Sequence, residues 1–258
     1  MRLRLVLTLA AVMALAVSLP GSVAAAVLVA ESGGNGAPTS GNAGGQPEAP
    51  GPDSASAGAS NYQYSMYRAR THSVQKTDWY CVPTSIQMMF NLIKGESDRS
   101  KANQTKYWKY AQENSRYPVG DNGADPAGWV AAMKYWGGGT FSVGVHTTMQ
   151  AALRAAAKRM RLTGKPVGLI VWGTSGTGGH AWVMTGFKST ADPKLTDDYT
   201  VSSVQAMGSL WPYGTINGKA YDPGPKEWVE YGELQRKFTK LADPHSPAWN
   251  GRWSTVLP

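Results

Sequence analysis

Cys81 is the only cysteine of the 258-residue chain, and its surroundings are typical of a nucleophile. A lone thiol forms no intramolecular disulfide, so it is either a small buried hydrophobic residue or a reactive group. The apolar spacing after it predicts a helix at 82–94, which places Cys81 at the helix start. Unpaired backbone N–H groups and the positive end of the helix dipole favour the thiolate there. A thiolate attacks carbonyl carbons, so the predicted chemistry is acyl transfer through a thioester.

His180 is the best candidate for the base that such a cysteine needs. It begins a predicted strand directly after residues 176–179, a glycine-rich segment slender enough for another part of the chain to approach closely. A neutral imidazole takes the thiol proton, and the imidazolium then stabilises the thiolate. The other three histidines lie in polar or proline-containing segments without a comparable setting; they are His72, His146 and His245. The alternative interpretation of His180 is a structural histidine at a strand start.

Gln75 lies six residues before Cys81 and is the candidate oxyanion donor. Across a short turn, its side-chain amide is expected to reach the negative oxygen that develops when a thiolate attacks a carbonyl. The second donor would be the backbone N–H of Cys81 itself. The interpretation of Gln75 as an oxyanion donor is strengthened because this glutamine occurs together with a helix-start cysteine and a Gly-His strand.

The elements that position these residues fall into two groups along the chain. Three helices are predicted from the spacing of apolar residues, at 82–94, 126–136 and 147–162. Asp125 is the expected N-cap of the second helix, and Gly95 and Gly164 are expected to end the first and the third. Three strands are predicted from β-branched and aromatic runs, at 166–172, 180–187 and 199–207. Helices followed by strands, without regular alternation, predict an α+β fold.

The first part of the chain differs in composition from the rest. Residues 1–26 combine two arginines, an apolar run and small residues in the order of a secretory signal peptide. The alternative is a retained membrane anchor, because apolar residues resume at 27–30. Residues 27–60 contain no aromatic and no basic residue, and we expect a disordered linker rich in Gly, Ser, Ala and Pro. The sequence therefore predicts a secreted or extracytoplasmic protein with one folded domain at 61–258.

Positive charge is concentrated in residues 61–258. The whole chain carries +8, while 1–26 holds two bases and 27–60 holds three acids, so the domain carries +9. Such a domain is attracted to anionic surfaces, which outside the cell include wall polymers and lipid headgroups. The bases are scattered, and their longest cluster, at 158–161, falls on a predicted helix, so nucleic acid is not an expected partner. The histidine and carboxylate spacing gives no metal signature, and no cofactor is expected.

Three segments resemble the papain-like superfamily, and in particular its bacteriocin-leader-processing (double-glycine) peptidase-like branch in the secreted, stand-alone form found in bacteria. They are Gln75, residues 81–89 (Cys-Val-Pro-Thr-Ser-Ile-Gln-Met-Met) and residues 179–187 (Gly-His-Ala-Trp-Val-Met-Thr-Gly-Phe). The resemblance covers most of 61–258. It implies a papain-like cysteine peptidase fold, in which N-terminal helices that include the nucleophile helix pack on a C-terminal antiparallel sheet. It also implies that Cys81 is the nucleophile, His180 the general base and then acid, and Gln75 the oxyanion donor.

Two positions depart from the family pattern. Val82 follows the cysteine where the family often has glycine, which is a mild change. More seriously, Gly208 and Ser209 stand where the family has the Asp or Asn that orients the histidine. Asp222 is a displaced candidate for that role and Ser209 a weaker one, whereas Asp192 is expected to form a turn. Loss of the orienting partner leaves the imidazole less well fixed, which lowers the expected activity.

The leading hypothesis is an exported cysteine peptidase-like hydrolase. It would act as a monomer and cleave a peptide or isopeptide bond of a peptide or protein substrate through an acyl-thioester on Cys81. One alternative is a non-catalytic module on the same fold that binds a peptide or wall fragment, which the glycine at 208 favours. Another is an acyl transferase, in which an amine replaces water. The sequence does not predict the natural substrate.

Overall fold

The described residues form an α+β fold, with five helices and a seven-stranded antiparallel sheet. The computed structural model describes residues 61–119, 123–172, 179–213, 215–216, 219–220, 222–241 and 245–258. The helices are α1 (Cys81–Lys94), α2 (Lys101–Glu113), α3 (Pro126–Tyr135), α4 (Met149–Thr163) and α5 (Tyr231–Lys237). The strands are β1 (Tyr62–Ser65), β2 (Ser142–His146), β3 (Val167–Trp172), β4 (Gly179–Ser189), β5 (Val201–Gly208), β6 (Thr215–Ile216), β7 (Lys219–Ala220), β8 (Trp228–Glu230) and β9 (Trp253–Leu257). The predicted α+β class is confirmed.

The three predicted helices and the three predicted strands are all present, as α1, α3, α4, β3, β4 and β5. Their caps also agree with prediction. The Asp125 side chain accepts a hydrogen bond of 2.9 Å from the backbone N–H of Gly128 at the start of α3. Gly95 and Gly164 end α1 and α4 in the left-handed conformation that glycine adopts without strain. The helices α2 and α5 and the strands β1, β2, β6, β7, β8 and β9 were not predicted.

Several sequence predictions lie outside the described residues. They are the signal peptide at 1–26, the linker at 27–60 and most of the glycine-rich segment at 176–179. In the part of the chain that the structure describes, no helix combines the length and apolar character that a membrane span requires.

Helices cover both faces of the sheet. The strand order is β2-β9-β3-β4-β5-β8, and β1 pairs with the second half of β4. Successive side chains of a strand point to opposite faces, so β3 directs Leu169 to one face and Ile170 to the other. Leu169 belongs to a core cluster with residues of α4 and α5, and Ile170 belongs to a second cluster with residues of α1, α2 and α3. Because β4 contributes to both cores, it is held rigidly at the centre of the fold.

The helix α1 is buried along most of its length. Of its residues, all from Val82 to Leu92 are buried. Pro83 lies in the first turn, where its missing N–H leaves no hydrogen bond unmade. The Ser85 hydroxyl donates a hydrogen bond of 3.2 Å to the Ala181 carbonyl of β4. This contact joins the N-terminal half of α1 to the beginning of β4, and it helps to place Cys81 beside His180.

A buried polar network holds the segment before α1 against α1 and α2. The side-chain oxygen of Gln87 accepts hydrogen bonds from the Ser73 hydroxyl at 2.7 Å and from the Gln104 amide at 2.9 Å. The Gln87 amide nitrogen donates to the Asp98 carboxylate at 2.7 Å. Buried amides are stable only when they have partners, so this network specifies one path for the chain that leads into α1.

Candidate active site

The start of α1 presents Cys81 at an uncapped helix end. Tyr80 is the N-cap residue, and among the described residues no side chain hydrogen-bonds to the helix start. Pro83 has no N–H, so the backbone N–H groups of Cys81 and Val82 are the donors that the first turn offers. The Cys81 side chain is partly buried. The local structure thus provides a thiol beside two backbone donors that can stabilise negative charge.

His180 links this thiol to a buried carboxylate. Its imidazole is hydrogen-bonded to Cys81, and its Nε2 lies 3.0 Å from Asp222 Oδ2. Since Nε2 is engaged by Asp222, Nδ1 is the nitrogen that faces the thiol. The His180 side chain is 12% exposed and the Asp222 side chain is fully buried. The three side chains form an unbroken hydrogen-bonded series from thiol to carboxylate.

The Asp222 carboxylate is held in one orientation by three donors. Its Oδ2 accepts from His180 Nε2 and, at 2.6 Å, from the backbone N–H of Leu210. Its Oδ1 accepts from the Trp182 indole N–H at 2.7 Å. Trp182 is fully buried in β4, two residues after His180. The carboxylate therefore cannot rotate away from His180 without losing at least one buried hydrogen bond.

Gly208 provides the space that this carboxylate occupies. A Cβ atom built on Gly208 would lie 2.1 Å from Asp222 Cγ and 2.3 Å from Asp222 Oδ2. The carboxyl group of Asp222 thus stands where a side chain at position 208 would begin. The resemblance to the papain-like superfamily predicted the orienting acid at 208–209, and Asp222 supplies a carboxylate to that place from another segment. Ser209, the weaker candidate, instead donates a hydrogen bond of 2.7 Å to the Gln75 side chain.

The partners of His180 control its protonation. Burial opposes the charged imidazolium, but the hydrogen bonds to Asp222 and to Cys81, together with the charges of both groups, outweigh burial and raise the pKa of His180 to about 10. His180 is therefore held as an imidazolium at neutral pH, directly beside Cys81. An imidazolium in that position stabilises a thiolate.

The raised pKa of His180 predicts a pH-dependent stability. A group that binds its proton more tightly in the folded protein contributes stability that is complete below its unfolded pKa and is lost as the pH rises through its folded pKa. The free energy of unfolding should therefore fall as the pH rises from about 6.5 to about 10. Urea unfolding across this range measures the slope, and His180→Gln should flatten it. An equal slope in wild type and variant would contradict the assignment.

Gln75 lies in the turn that precedes α1. Its side-chain nitrogen donates to the backbone carbonyls of Thr77 at 2.9 Å and Asp78 at 3.1 Å. Its backbone N–H donates to the Ser209 carbonyl at 2.9 Å. Both amide hydrogens of the Gln75 side chain thus have backbone acceptors, and the residue ties the turn to the end of β5. The predicted oxyanion role requires one of these hydrogen bonds to break when substrate binds.

A cleft of about 370 Å³ opens beside Cys81 and His180. Its described walls are mostly apolar and are formed by Cys81, Val82, Pro118, Val119, Gly123, Ala124, Asp125, Pro126, Ile170, Gly179, His180, Ala181, Leu241, His245, Ser246 and Trp249. His245 was not predicted to be the catalytic base because it lies in a proline-containing segment, yet it lies on the cleft wall. Trp249 lies there too, and its ring contacts the Tyr117 ring at a centroid distance of 5.0 Å.

The groups that hold Asp222 were not predicted from the sequence. The Trp182 indole and the Leu210 backbone N–H carry no motif, because a donor is recognised only once its acceptor is placed. The one usable signal was the dipeptide of Asp222 and Pro223, which matches the expected Asp-Pro at a displaced position.

The comparisons with known proteins add no family assignment, since no family model and no curated protein matches this chain. Within the described ranges, no group of three or more His, Cys, Asp or Glu side chains is arranged to bind a metal ion. The function of the chain is therefore inferred from the geometry around Cys81.

Proposed function

We propose that the chain is an exported cysteine peptidase-like hydrolase with a papain-like fold. The observation that carries the proposal is the hydrogen-bonded series of Cys81, His180 and Asp222. The thiol is at a helix start, the imidazole is nearly buried and the carboxylate is fully buried. A histidine with a purely structural role needs neither the only thiol of the chain on one side nor a buried carboxylate on the other.

In the first half-reaction, the Cys81 thiolate attacks the carbonyl carbon of the scissile amide. A C–S bond forms and the carbonyl oxygen becomes an oxyanion, which accepts hydrogen bonds from the backbone N–H groups at the start of α1. Gln75 becomes a further donor if its amide is released from the turn. The C–N bond then breaks, and His180 transfers its Nδ1 proton to the leaving amine.

In the second half-reaction, neutral His180 takes a proton from a water molecule as the water oxygen attacks the thioester carbonyl. The C–S bond breaks, the acid product leaves, and the thiolate and imidazolium are restored. Throughout both halves, Asp222 keeps the ring oriented with Nδ1 towards Cys81. The same acyl-thioester would serve an acyl transferase, in which an amine attacks in place of water.

The substrate is proposed to be a peptide or protein, cleaved at a peptide or isopeptide bond. The mostly apolar cleft beside Cys81 fits a peptide segment better than a highly charged ligand. The alternative of a non-catalytic binding module depended on the lack of an acid at Gly208. Because Asp222 fills that position with a carboxylate, this reason for the alternative is removed.

The proposal is tested by the reactivity of Cys81 towards iodoacetamide near neutral pH. A thiolate held beside an imidazolium should be alkylated about tenfold or more faster than free cysteine at about pH 6, where a free thiol is mostly protonated. His180→Ala should remove this advantage. Mass spectrometry of the tryptic peptides locates and quantifies the adduct, and Cys81→Ala defines the background.

His146→Ala is the matched control, because His146 is a partly buried histidine on β2 that does not line the cleft. Its alkylation rate should equal that of the wild type. The proposal is contradicted if Cys81 reacts no faster than free cysteine, or if it reacts equally fast in the wild type and in His180→Ala.

A further inference from the structure

A second concave site gathers positive side chains away from the cleft. It measures about 360 Å³, and its wall includes Arg70, His72, Lys76, Arg99 and Trp211, which together we call the cation pocket. No acidic residue is found among the described residues of its wall, and none of them also lines the cleft. Cations that line one concavity attract an anion into it.

The three permanent charges of the cation pocket are available to a ligand. Arg70, Lys76 and Arg99 are all exposed, and none takes part in an ion pair between described residues. Arg99 is nevertheless held in place, because its guanidinium donates to the backbone carbonyl of His72 at 3.1 Å and to that of Arg70 at 3.4 Å. A fixed guanidinium loses little freedom when it binds an oxyanion.

Arg70 has an unusual backbone conformation at this site. Its φ of 69° lies in the left-handed region, and it is the one non-glycine residue with positive φ among the described residues. Such a conformation is unfavourable for arginine and persists where the surroundings impose it, often at ligand-binding positions. Here it accompanies the hydrogen bond from Arg99 to the Arg70 carbonyl, so the turn at Arg70 helps to hold the Arg99 guanidinium in place.

His72 and Trp211 complete the wall. The Nε2–H of His72 donates to the Gly208 carbonyl at 2.9 Å, and burial lowers the pKa of His72, so its ring is a neutral part of the wall. The His72 and Trp211 rings meet edge to face at a centroid distance of 5.4 Å. The pocket therefore offers a partly apolar surface next to its charges, which suits an anion attached to a carbon chain or ring.

We propose that the cation pocket binds a phosphate ester. A phosphate group presents several strong acceptor oxygens in a tetrahedral arrangement, and these match donors contributed by different segments better than a planar carboxylate does. The organic part of the ester would lie against Trp211. The same chemistry is present in soluble or polymeric glycerol phosphates and in phospholipid headgroups.

Calorimetric titration of the full chain with inorganic phosphate and with glycerol 3-phosphate tests the proposal. Arg70→Asn with Lys76→Gln removes two charges, and asparagine tolerates the left-handed backbone at position 70. This double variant should bind both phosphates at least about tenfold more weakly than the wild type. Lys134→Gln with Lys194→Gln is the control, because it makes the same change in net charge at two exposed lysines outside the pocket. The control should bind like the wild type.

A second arm distinguishes the sources of the ester. Sedimentation with vesicles of phosphatidylglycerol and phosphatidylcholine is compared among the three proteins. Vesicle binding that falls in the pocket variant assigns the site to a lipid headgroup, and vesicle binding that is unchanged assigns it to a soluble or polymeric ester. The proposal is overturned if the wild type binds neither phosphate, or if the pocket variant and the control variant bind phosphate equally well.

Discussion

Asp222→Ala should slow the alkylation of Cys81 at about pH 6 by about a hundredfold. Without the carboxylate, His180 loses the partner that holds its charge and orientation. The thiolate then loses the imidazolium that stabilises it at low pH. Turnover of a peptide substrate should fall for the same reason, because the imidazole is free to rotate away from the thiol.

The same substitution should lower the free energy of unfolding. The buried Trp182 indole would be left without an acceptor, at about 1–3 kcal/mol, and the partly buried Leu210 N–H would lose its acceptor at a smaller cost. Urea unfolding measures this loss.

Asp222→Asn separates the two effects, because its side-chain oxygen still accepts one of these hydrogen bonds while its charge is gone. It should be more stable than Asp222→Ala and should keep part of the alkylation rate, because an amide oxygen can still accept the His180 N–H. An Ala variant that keeps the wild-type alkylation rate would show that Asp222 only supports the fold.

Gly208→Ala is expected to have the same effect on the alkylation of Cys81 as a substitution of Asp222, although Asp222 itself is unchanged. The added methyl group would lie 2.1 Å from Asp222 Cγ, far inside van der Waals contact, so the carboxylate must move. Its hydrogen bond to His180 would then lengthen or break. Alkylation at about pH 6 should fall by about tenfold to a hundredfold, and overpacking should cost about 1–3 kcal/mol of stability.

Gly232→Ala is the control for the methyl group itself. A Cβ at Gly232 would meet no atom within 4 Å, and in α5 alanine is favoured over glycine, so stability should hold or rise slightly.

A further variant exchanges the residues at positions 208 and 222: Gly208→Asp combined with Asp222→Gly places the acid where the family pattern expects it. It should recover part of the alkylation rate that Gly208→Ala loses. Wild-type reactivity in Gly208→Ala would mean that Asp222 does not orient His180.

The elements around the nucleophile were predictable because local signals agree there. The helix α1 has an apolar face and a glycine stop, and β4 is a long run of apolar and aromatic residues. The helix α2 lacks such signals, since its buried positions are Gln104, Tyr107 and Ala111, and a buried glutamine does not register as apolar spacing. Its burial depends on the polar network with Gln87, which becomes visible only when the segments are brought together.

The position of the acid Asp222 could not be predicted from the sequence for a similar reason. Sequence spacing located His180 and Cys81 within recognisable patterns, but the position of Asp222 depends on the path of the chain between 208 and 222. In the sequence, Gly208 indicates that the acid that orients the histidine is missing. In the fold, the lack of a side chain at Gly208 leaves room for the Asp222 carboxylate, and a single sequence does not distinguish these two situations.

The place of β9 in the sheet has a consequence for the order in which the protein can assemble. This strand follows every other element along the chain, yet it lies between β2 and β3 and hydrogen-bonds to both. A ribosome that has not yet released residues 253–257 holds a polypeptide whose β2 and β3 have no strand to connect them. Backbone pairing across that part of the sheet is therefore a long-range event that waits until every other described element has been synthesised.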